Sequence, residues 1–274
     1  MAPFNSRYTY ARVDPVISDG IITQLAALPV FSPLSALELE RIAASARNLQ
    51  ADKGEILFQK GDSCHGFYLI VSGKVKLLFN SLSGSEKVIE ILMPGQSFGE
   101  SAMFIDQPYP LSAQALSDAS FIYITKTSVL QALETNAQLA RQLITCLSSS
   151  LHQFFQNQEF NSMRSGKQRI VDYILRQMKP AAVLSTVPVI ILPASKGTIA
   201  SHLGVTAEHF SRILHELVEH KLITVYGKKI EVLDLAQLRA VLDSQGESEG
   251  EREHTQAAPC RLVKTTPVVH ASQT

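Results

Sequence analysis

The period of the hydrophobic pattern changes along this chain, and the changes divide it. From residue 18 to 48 apolar side chains recur at helical spacing in two short segments, with Ser32-Pro33-Leu34-Ser35 between them supplying a break and then a cap. From Asp52 to Ile124 the period drops to two. Ile56/Phe58, Phe67/Leu69/Val71, Val75/Leu77/Phe79 and Val88/Glu90/Leu92 alternate as half-buried strands do, and glycines at 54, 61, 66, 73, 84, 95 and 99 punctuate them. Many short strands at this spacing predict a roll, barrel or sandwich. From about Thr127 to Phe160 the helical period returns, with apolar residues at 129/130, 133, 139/140, 143, 147, 151 and 154/155. Packing wholly against the β region is one reading of such a helix; a stripe that long, ending on Phe154 and Phe155, favours one that also packs on its own copy in a dimer.

A helix from Lys167 to Met178 follows and stops at Pro180. Ile199-Ala200-Ser201-His202-Leu203-Gly204-Val205 then reads as a helix closed by a glycine, and Thr206-Ala207-Glu208-His209-Phe210-Ser211-Arg212 as the start of the next one. With Thr206 as the cap, Glu208, Ser211, Arg212 and His215 share one face, while Phe210, Ile213, Leu214 and Leu217 share the other. The polar face suits a DNA major groove: Arg bonds guanine O6 and N7 together, Glu accepts from cytosine N4, and Ser adapts to several edges. A second reading stays open, in which Glu208 favours the helix N-terminus and pairs with Arg212 at i+4. From Leu222 to Val232 a period-two pattern turns at Gly227 with Lys228 and Lys229, the pattern of a hairpin, or wing, beside a phosphate backbone. Leu238 and Leu242 close this module, and from Ser244 the chain is polar, acidic and turn-rich, an unstructured tail.

Composition adds an asymmetry. The 274 residues carry net charge zero, yet residues 161–233 hold ten Lys/Arg against five acids, leaving the remainder at −5. A basic module on an acidic remainder fits DNA binding beside another task, and surface charge without function is the competing reading. No apolar run spans a bilayer, and the N-terminus lacks the pattern of a signal peptide, so a cytoplasmic protein with no membrane partner is expected. Cys64, Cys146 and Cys260 are scattered and odd in number, which predicts reduced thiols. No phosphate loop, metal-ligand cluster or nucleophile elbow is found, so no enzyme is expected.

Gly54-Glu55-Ile56-Leu57-Phe58-Gln59-Lys60-Gly61-Asp62, with Phe67-Tyr68-Leu69-Ile70-Val71-Ser72-Gly73-Lys74-Val75, resembles the β roll of the Crp/Fnr regulators, typified by the cyclic-AMP receptor protein and the fumarate–nitrate reduction regulator. Phe98-Gly99-Glu100 is similar to that family's effector-pocket turn. The resemblance covers roughly Ile22 to Leu238. It implies an α+β chain: a cyclic-nucleotide-binding-like β roll (a double-stranded β-helix or jelly roll), a long dimerisation helix, and a C-terminal winged helix-turn-helix. The expected boundaries are a flexible segment 1–21, a sensor domain 22–126, a dimerisation helix 127–160, a DNA-binding domain 161–242 and a disordered tail 243–274. A Glu, two residues, then Ser-Arg resembles the fumarate–nitrate branch and implies that Glu208, Ser211 and Arg212 read an inverted repeat of TTGAT-like half-sites. Thr206, His209, Lys196, Lys228 and Lys229 complete the expected DNA-binding set. The implied partners are a palindromic duplex, a second copy of the chain and, for an activator, RNA polymerase.

The effector pocket implied by the resemblance comprises Phe98, Gly99, Glu100, Ser101, Leu111 and Ser112. The cyclic-nucleotide branch places a phosphate-binding Arg where this chain reads Tyr109-Pro110-Leu111-Ser112-Ala113, and no Lys, Arg or His occurs from Val88 to Thr125. Burying a phosphate there would cost several kcal/mol, about 2–7, which disfavours cyclic AMP. Three scattered cysteines exclude, within one chain, the four-cysteine iron–sulfur cluster of the fumarate–nitrate type. What remains resembles the dissimilatory nitrate respiration regulators, in Met103-Phe104-Ile105-Asp106 with Pro108, in Leu151-His152-Gln153 and in His202-Leu203. That resemblance implies nitric oxide sensing through haem b and control of denitrification genes, with His152 as the first ligand candidate and His65 and His202 behind it. A cyclic-nucleotide effector, or another small-molecule or redox effector, is the alternative.

Overall fold

A computed structural model of the chain describes residues 12–13, 18–26, 31, 33–80, 86–178 and 188–243. The expected flexible start falls mostly outside the described residues, and so does the expected disordered tail beyond Asp243. The described residues form one compact unit. In chain order the elements are β1 (Arg12–Val13), α1 (Ser18–Ala26), α2 (Ala36–Ser45), β2 (Arg47–Ala51), β3 (Ile56–Phe58), β4 (Gly66–Ser72), β5 (Val75–Asn80), β6 (Glu86–Leu92), β7 (Ser97–Phe98), α3 (Glu100–Phe104), β8 (Ser112–Ala115) and β9 (Ala119–Thr125). Then come α4 (Lys126–Thr135), α5 (Ala137–Met163), α6 (Gly166–Arg176), β10 (Val189–Ile191), α7 (Lys196–Leu203), α8 (Ala207–Glu219), β11 (Ile223–Tyr226), β12 (Lys229–Val232) and α9 (Leu235–Asp243).

Two antiparallel sheets make the roll, in the orders β1-β2-β9-β4-β7 and β3-β8-β5-β6. Between them Leu49, Phe58, Tyr68, Val75, Phe98, Tyr109, Phe121 and Tyr123 form one core. On the outer side of the first sheet Phe67, Leu69, Ile122 and Ile124 pack with Ile21, Leu25, Ile42, Met103 and Leu139 from the helices. Hence β4 and β9 are buried on both faces, and the half-buried alternation expected for Phe67/Leu69/Val71 is corrected: Phe67 to Ile70 are all buried. In β5 a register shift between Leu77 and Leu78 moves the buried phase to Leu78, so Phe79 is exposed. Ser35 caps α2 as expected, in a capping box with Glu38. The expected helical segment does not reach 48, because Arg47 already pairs with Tyr123 as the start of β2.

The single helix expected from Thr127 to Phe160 is two helices. Asn136 takes an extended conformation (φ −132°, ψ 95°), ends α4, and caps α5 by accepting from the Leu139 amide at 2.9 Å. Its amide group also donates to Glu38 Oε1 at 3.0 Å. Leu139 and Leu143 anchor the first turns of α5 in the helical core, and Ile144, Leu147, Leu151, Phe154 and Phe155 are exposed beyond them.

Candidate nucleic-acid interface

The C-terminal module is built on one core of Ile170, Ile174, Ile190, Ile199, Leu203, Phe210, Ile213, Leu214, Leu217, Ile223, Ile230 and Leu238. Ser195 caps α7, accepting from the Thr198 amide at 3.1 Å. Gly204, at φ 67° and ψ 37°, ends α7 in the left-handed region that favours glycine. Thr206 then caps α8, with Oγ1 accepting from the His209 amide at 3.1 Å. A glycine stop and a threonine start two residues apart turn the chain between two helices.

The structure divides α8 as its spacing predicts. Phe210, Ile213, Leu214 and Leu217 are buried, whereas Glu208, Ser211, Arg212 and His215 are exposed together on the opposite face. Arg212 does not pair with Glu208. Its Nη2 donates to His209 Nδ1 at 2.9 Å, which makes that nitrogen the acceptor. His209 is half-buried and lies against α6: a Cβ on Gly166 would stand 2.7 Å from its Nε2, so a larger residue there would have to push the imidazole aside. The hairpin of β11 and β12 turns through Gly227 and Lys228, and β10, unforeseen from the pattern, adds a third strand beside β12. Lys228 is exposed at the tip. Lys229 is tied to Glu231 at 2.7 Å, so its charge is partly offset. Lys196 is half-buried at the first turn of α7. The residues expected to meet DNA therefore stand on α8, its cap, the start of α7 and the wing.

The expected effector residues are less uniform. Phe98 stacks on Tyr68 with ring centroids 5.1 Å apart, and Phe58 stacks on Tyr109 at 3.6 Å, so the roll interior is filled by aromatic rings. Gly99 precedes α3 at φ 100°, Leu111 is half-buried and Ser101 is exposed. The buried Ser112 hydroxyl accepts from the Lys60 amide at 3.0 Å. A cleft of about 30 Å³, room for about one water molecule, is lined by Ser112 with Ile56, Leu78, Asn80, Glu86, Ala113 and Gln114. Burial raises the pKa of Glu100; a Ser97 hydrogen bond opposes this and the nearby Glu90 carboxylate adds to it. Among the described residues no cation contributes to this shift, so a phosphate placed here would find no counter-charge.

The three histidines considered for haem lie apart. His65 is exposed, and its carbonyl accepts from the Lys126 amide at 2.9 Å. His202 is half-buried, its Nδ1 donating to the Ile89 carbonyl at 3.0 Å, and burial lowers its pKa. His152 is exposed on α5 beside the apolar stripe. Among the described residues no three His, Cys, Asp or Glu converge to hold a metal. The roll interior is filled by side chains, and His152 stands outside it on α5. Cys64 is half-buried, its thiol donating to the Gly66 carbonyl at 3.3 Å, and Cys146 is exposed; Cys260 lies outside the described residues. No helix of the described chain is long and apolar enough to cross a membrane.

Comparison with known proteins agrees with this architecture. Residues 49–136 match the cyclic nucleotide-binding domain and residues 168–241 the Crp-like helix-turn-helix domain. The transcriptional activator protein Anr of Pseudomonas protegens is 29% identical over 74% of this chain and 82% of its own length. The cyclic AMP receptor protein of Thermus thermophilus is 24% identical over 78% of this chain and 96% of its own. The structure of FixK2 from Bradyrhizobium japonicum superposes with a TM-score of 0.64 at 21% identity, covering 73% of this chain and 98% of that one. A cyclic-nucleotide-binding-type roll joined to a helix-turn-helix module, in the order and span of these regulators, makes this chain a member of the Crp/Fnr family of DNA-binding transcription regulators.

Proposed function

We propose that the chain is a homodimeric regulator whose α8 face reads an inverted repeat of TTGAT-like half-sites, and that it controls genes of anaerobic or nitrogen-oxide respiration. The observation that carries the reading is the exposed set Glu208, Ser211 and Arg212 on a helix capped by Thr206, backed by a buried face that fixes its orientation. Exposed acid on a DNA-facing helix is repelled by phosphate, so Glu208 earns its place by accepting from a base edge. Two copies present two such faces to two half-sites. Relatives named as anaerobic regulatory proteins, in Haemophilus influenzae and Pasteurella multocida, support the respiratory assignment.

The effector of this reading is a small molecule that is not a cyclic nucleotide. The like-charged Glu90 and Glu100 beside the turn at Gly99 support that exclusion. Nitric oxide sensed through haem would need a pocket completed by a second copy beside His152, on the apolar face of α5. An absorption spectrum decides it: a Soret band on reconstitution that shifts with nitric oxide supports haem, and no uptake by the folded dimer removes it.

Binding to a TTGAT-type palindrome and to a scrambled duplex, followed by fluorescence anisotropy, tests the DNA assignment. Arg212→Ala is expected to lose about 1–3 kcal/mol per guanine contact on the palindrome, with little change on the scrambled duplex. Equal affinity of variant and parent for the palindrome would overturn it.

A further inference from the structure

Arg212 carries the guanine contact in the proposed reading of the half-site, and an exposed guanidinium reads a base well only when something aims it. A long side chain that must first be ordered costs a complex about three- to tenfold in affinity. Glu208 does not hold Arg212; the contact that does is His209, whose Nδ1 accepts from Arg212 Nη2 at 2.9 Å. The two stand three residues apart on α8, so the bond draws the guanidinium back toward the helix N-terminus. Glu208 stands in that first turn, and the N-terminal residues of a recognition helix are the ones that meet base edges.

His209 can aim its neighbour because a second element holds it in turn. Its amide donates to Thr206 Oγ1 at 3.1 Å in the first turn of α8. Its ring edge lies over Gly166, the first residue of α6: a Cβ there would meet Nε2 at 2.7 Å, Cδ2 at 3.1 Å and Val205 Cγ1 at 3.3 Å. That start of α6 is fixed by the capping box of Ser165 and Gln168, and Gln168 Nε2 donates to the Leu242 carbonyl at 3.2 Å. Gly166 does not take a positive φ, so what it supplies is space for the imidazole rather than an unusual turn. By contrast His215, further along the polar face, stands 3.8 Å from Glu219 with both side chains exposed.

We infer that His209 is a positioning residue for DNA recognition: wedged between α6 and α8, it presents Nδ1 to Arg212 and holds the guanidinium ready for guanine without itself touching a base. The inference rests on the proposed role of the α8 face. One of the five donors of Arg212 goes to His209, and the others leave a fork for guanine O6 and N7. The support runs from Gly166 through His209 to Arg212, so a residue of α6, outside the DNA-facing set, contributes to which base is preferred. A histidine that bonded a phosphate instead would strengthen binding to every duplex alike and leave base preference as it is.

The test uses the full chain and two duplexes, the TTGAT-type palindrome and the same palindrome with deazaguanine, in which a C–H replaces N7, at the guanine of each half-site. The cytosine edge offered to Glu208 is the same in both. The parent is expected to prefer guanine about five- to hundredfold. His209→Leu keeps bulk and removes the acceptor; its preference is expected to be about three- to tenfold smaller, at most down to the value of Arg212→Ala. His209→Asn places an acceptor where Nδ1 stands and is expected to retain most of the preference. Gly166→Ala pushes the imidazole aside from another helix and is expected to act like His209→Leu, with its Tm reporting an intact fold. A His209→Leu variant with the parent's preference overturns the positioning role. So does one that binds both duplexes more weakly by the same factor, which assigns His209 to the phosphate backbone. A parent that prefers neither duplex overturns the reading of the half-site together with this role, whereas a parent that prefers guanine beside a Gly166→Ala variant that prefers it equally overturns the support from α6.

Discussion

Glu100 illustrates how much one side chain decides. It opens α3 beside the turn at Gly99, and its carboxyl is pushed above the ordinary range chiefly by burial, with Ser97 opposing and Glu90 adding. The folded chain therefore holds this proton more tightly than the unfolded chain does. Between the ordinary carboxylate pKa and the raised one, the unfolded state gives up its proton first, so stability falls as pH rises through that interval and stays lower above it. Glu100→Gln keeps the size and the polar contact to Ser97 while removing the titration. The Tm difference between variant and parent should thus grow in the variant's favour from pH 4 to pH 7. Taking the difference cancels Glu38 and Glu231, which shift the other way. A difference flat with pH would contradict the burial of this carboxyl. The same geometry argues that a ligand of this turn is neutral or cationic at its contact with Glu100.

At the scale of elements, the junction of α4 and α5 carries the clearest prediction. Asn136 bonds the Leu139 amide with its carbonyl oxygen and Glu38 with its amide group, so it caps one helix and braces another. Asn136→Ala should cost about 1 kcal/mol, within a range of about 0.5–2, in chemical denaturation, whereas Asn136→Ser should recover most of the cap. Equal stability of the Ala variant would mean that water replaces both contacts. This junction also shows what the pattern of residues could convey. The apolar spacing from 129 to 155 is helical throughout and runs across the break, because both helices pack on the same core through Val129 and Leu139. The two helices and the hairpin of the winged module were legible, since Gly204 and Gly227 take positive φ and the Thr206 side chain caps α8, whereas β10 carried no such mark. The bulge between β5 and β6 was not, because the one extra residue of β6, Ile89, shifts the register without leaving a compositional mark. Nor was the seat of α7 on β6: it is made by Ser201 and His202 bonding backbone groups of β6, contacts that carry no period.

For the whole molecule the question is what covers α5. Past Leu143 its apolar residues step through Ile144, Leu147, Leu151 and Phe154, spacings of three and four that trace the narrow seam of a two-stranded coil. Phe155 stands beside Phe154 at 6.2 Å and widens the stripe. Leu151 and Phe154 are 53% and 50% exposed, so neither supports the fold of its own chain. Replacing both by Asp therefore separates association from folding. On the proposed dimer and inverted repeat, the double variant is expected to keep the parent's melting behaviour at low protein concentration, to run as a monomer in light scattering where the parent is expected to run as a dimer, and to lose about 10²–10⁴-fold in affinity for the repeat, because the second half-site no longer sees a tethered reader. Its affinity for a single half-site should be unchanged, since the α8 face is untouched. A variant that remains dimeric would place the interface elsewhere, and a monomer that binds the palindrome as tightly as the parent would remove the need for two readers.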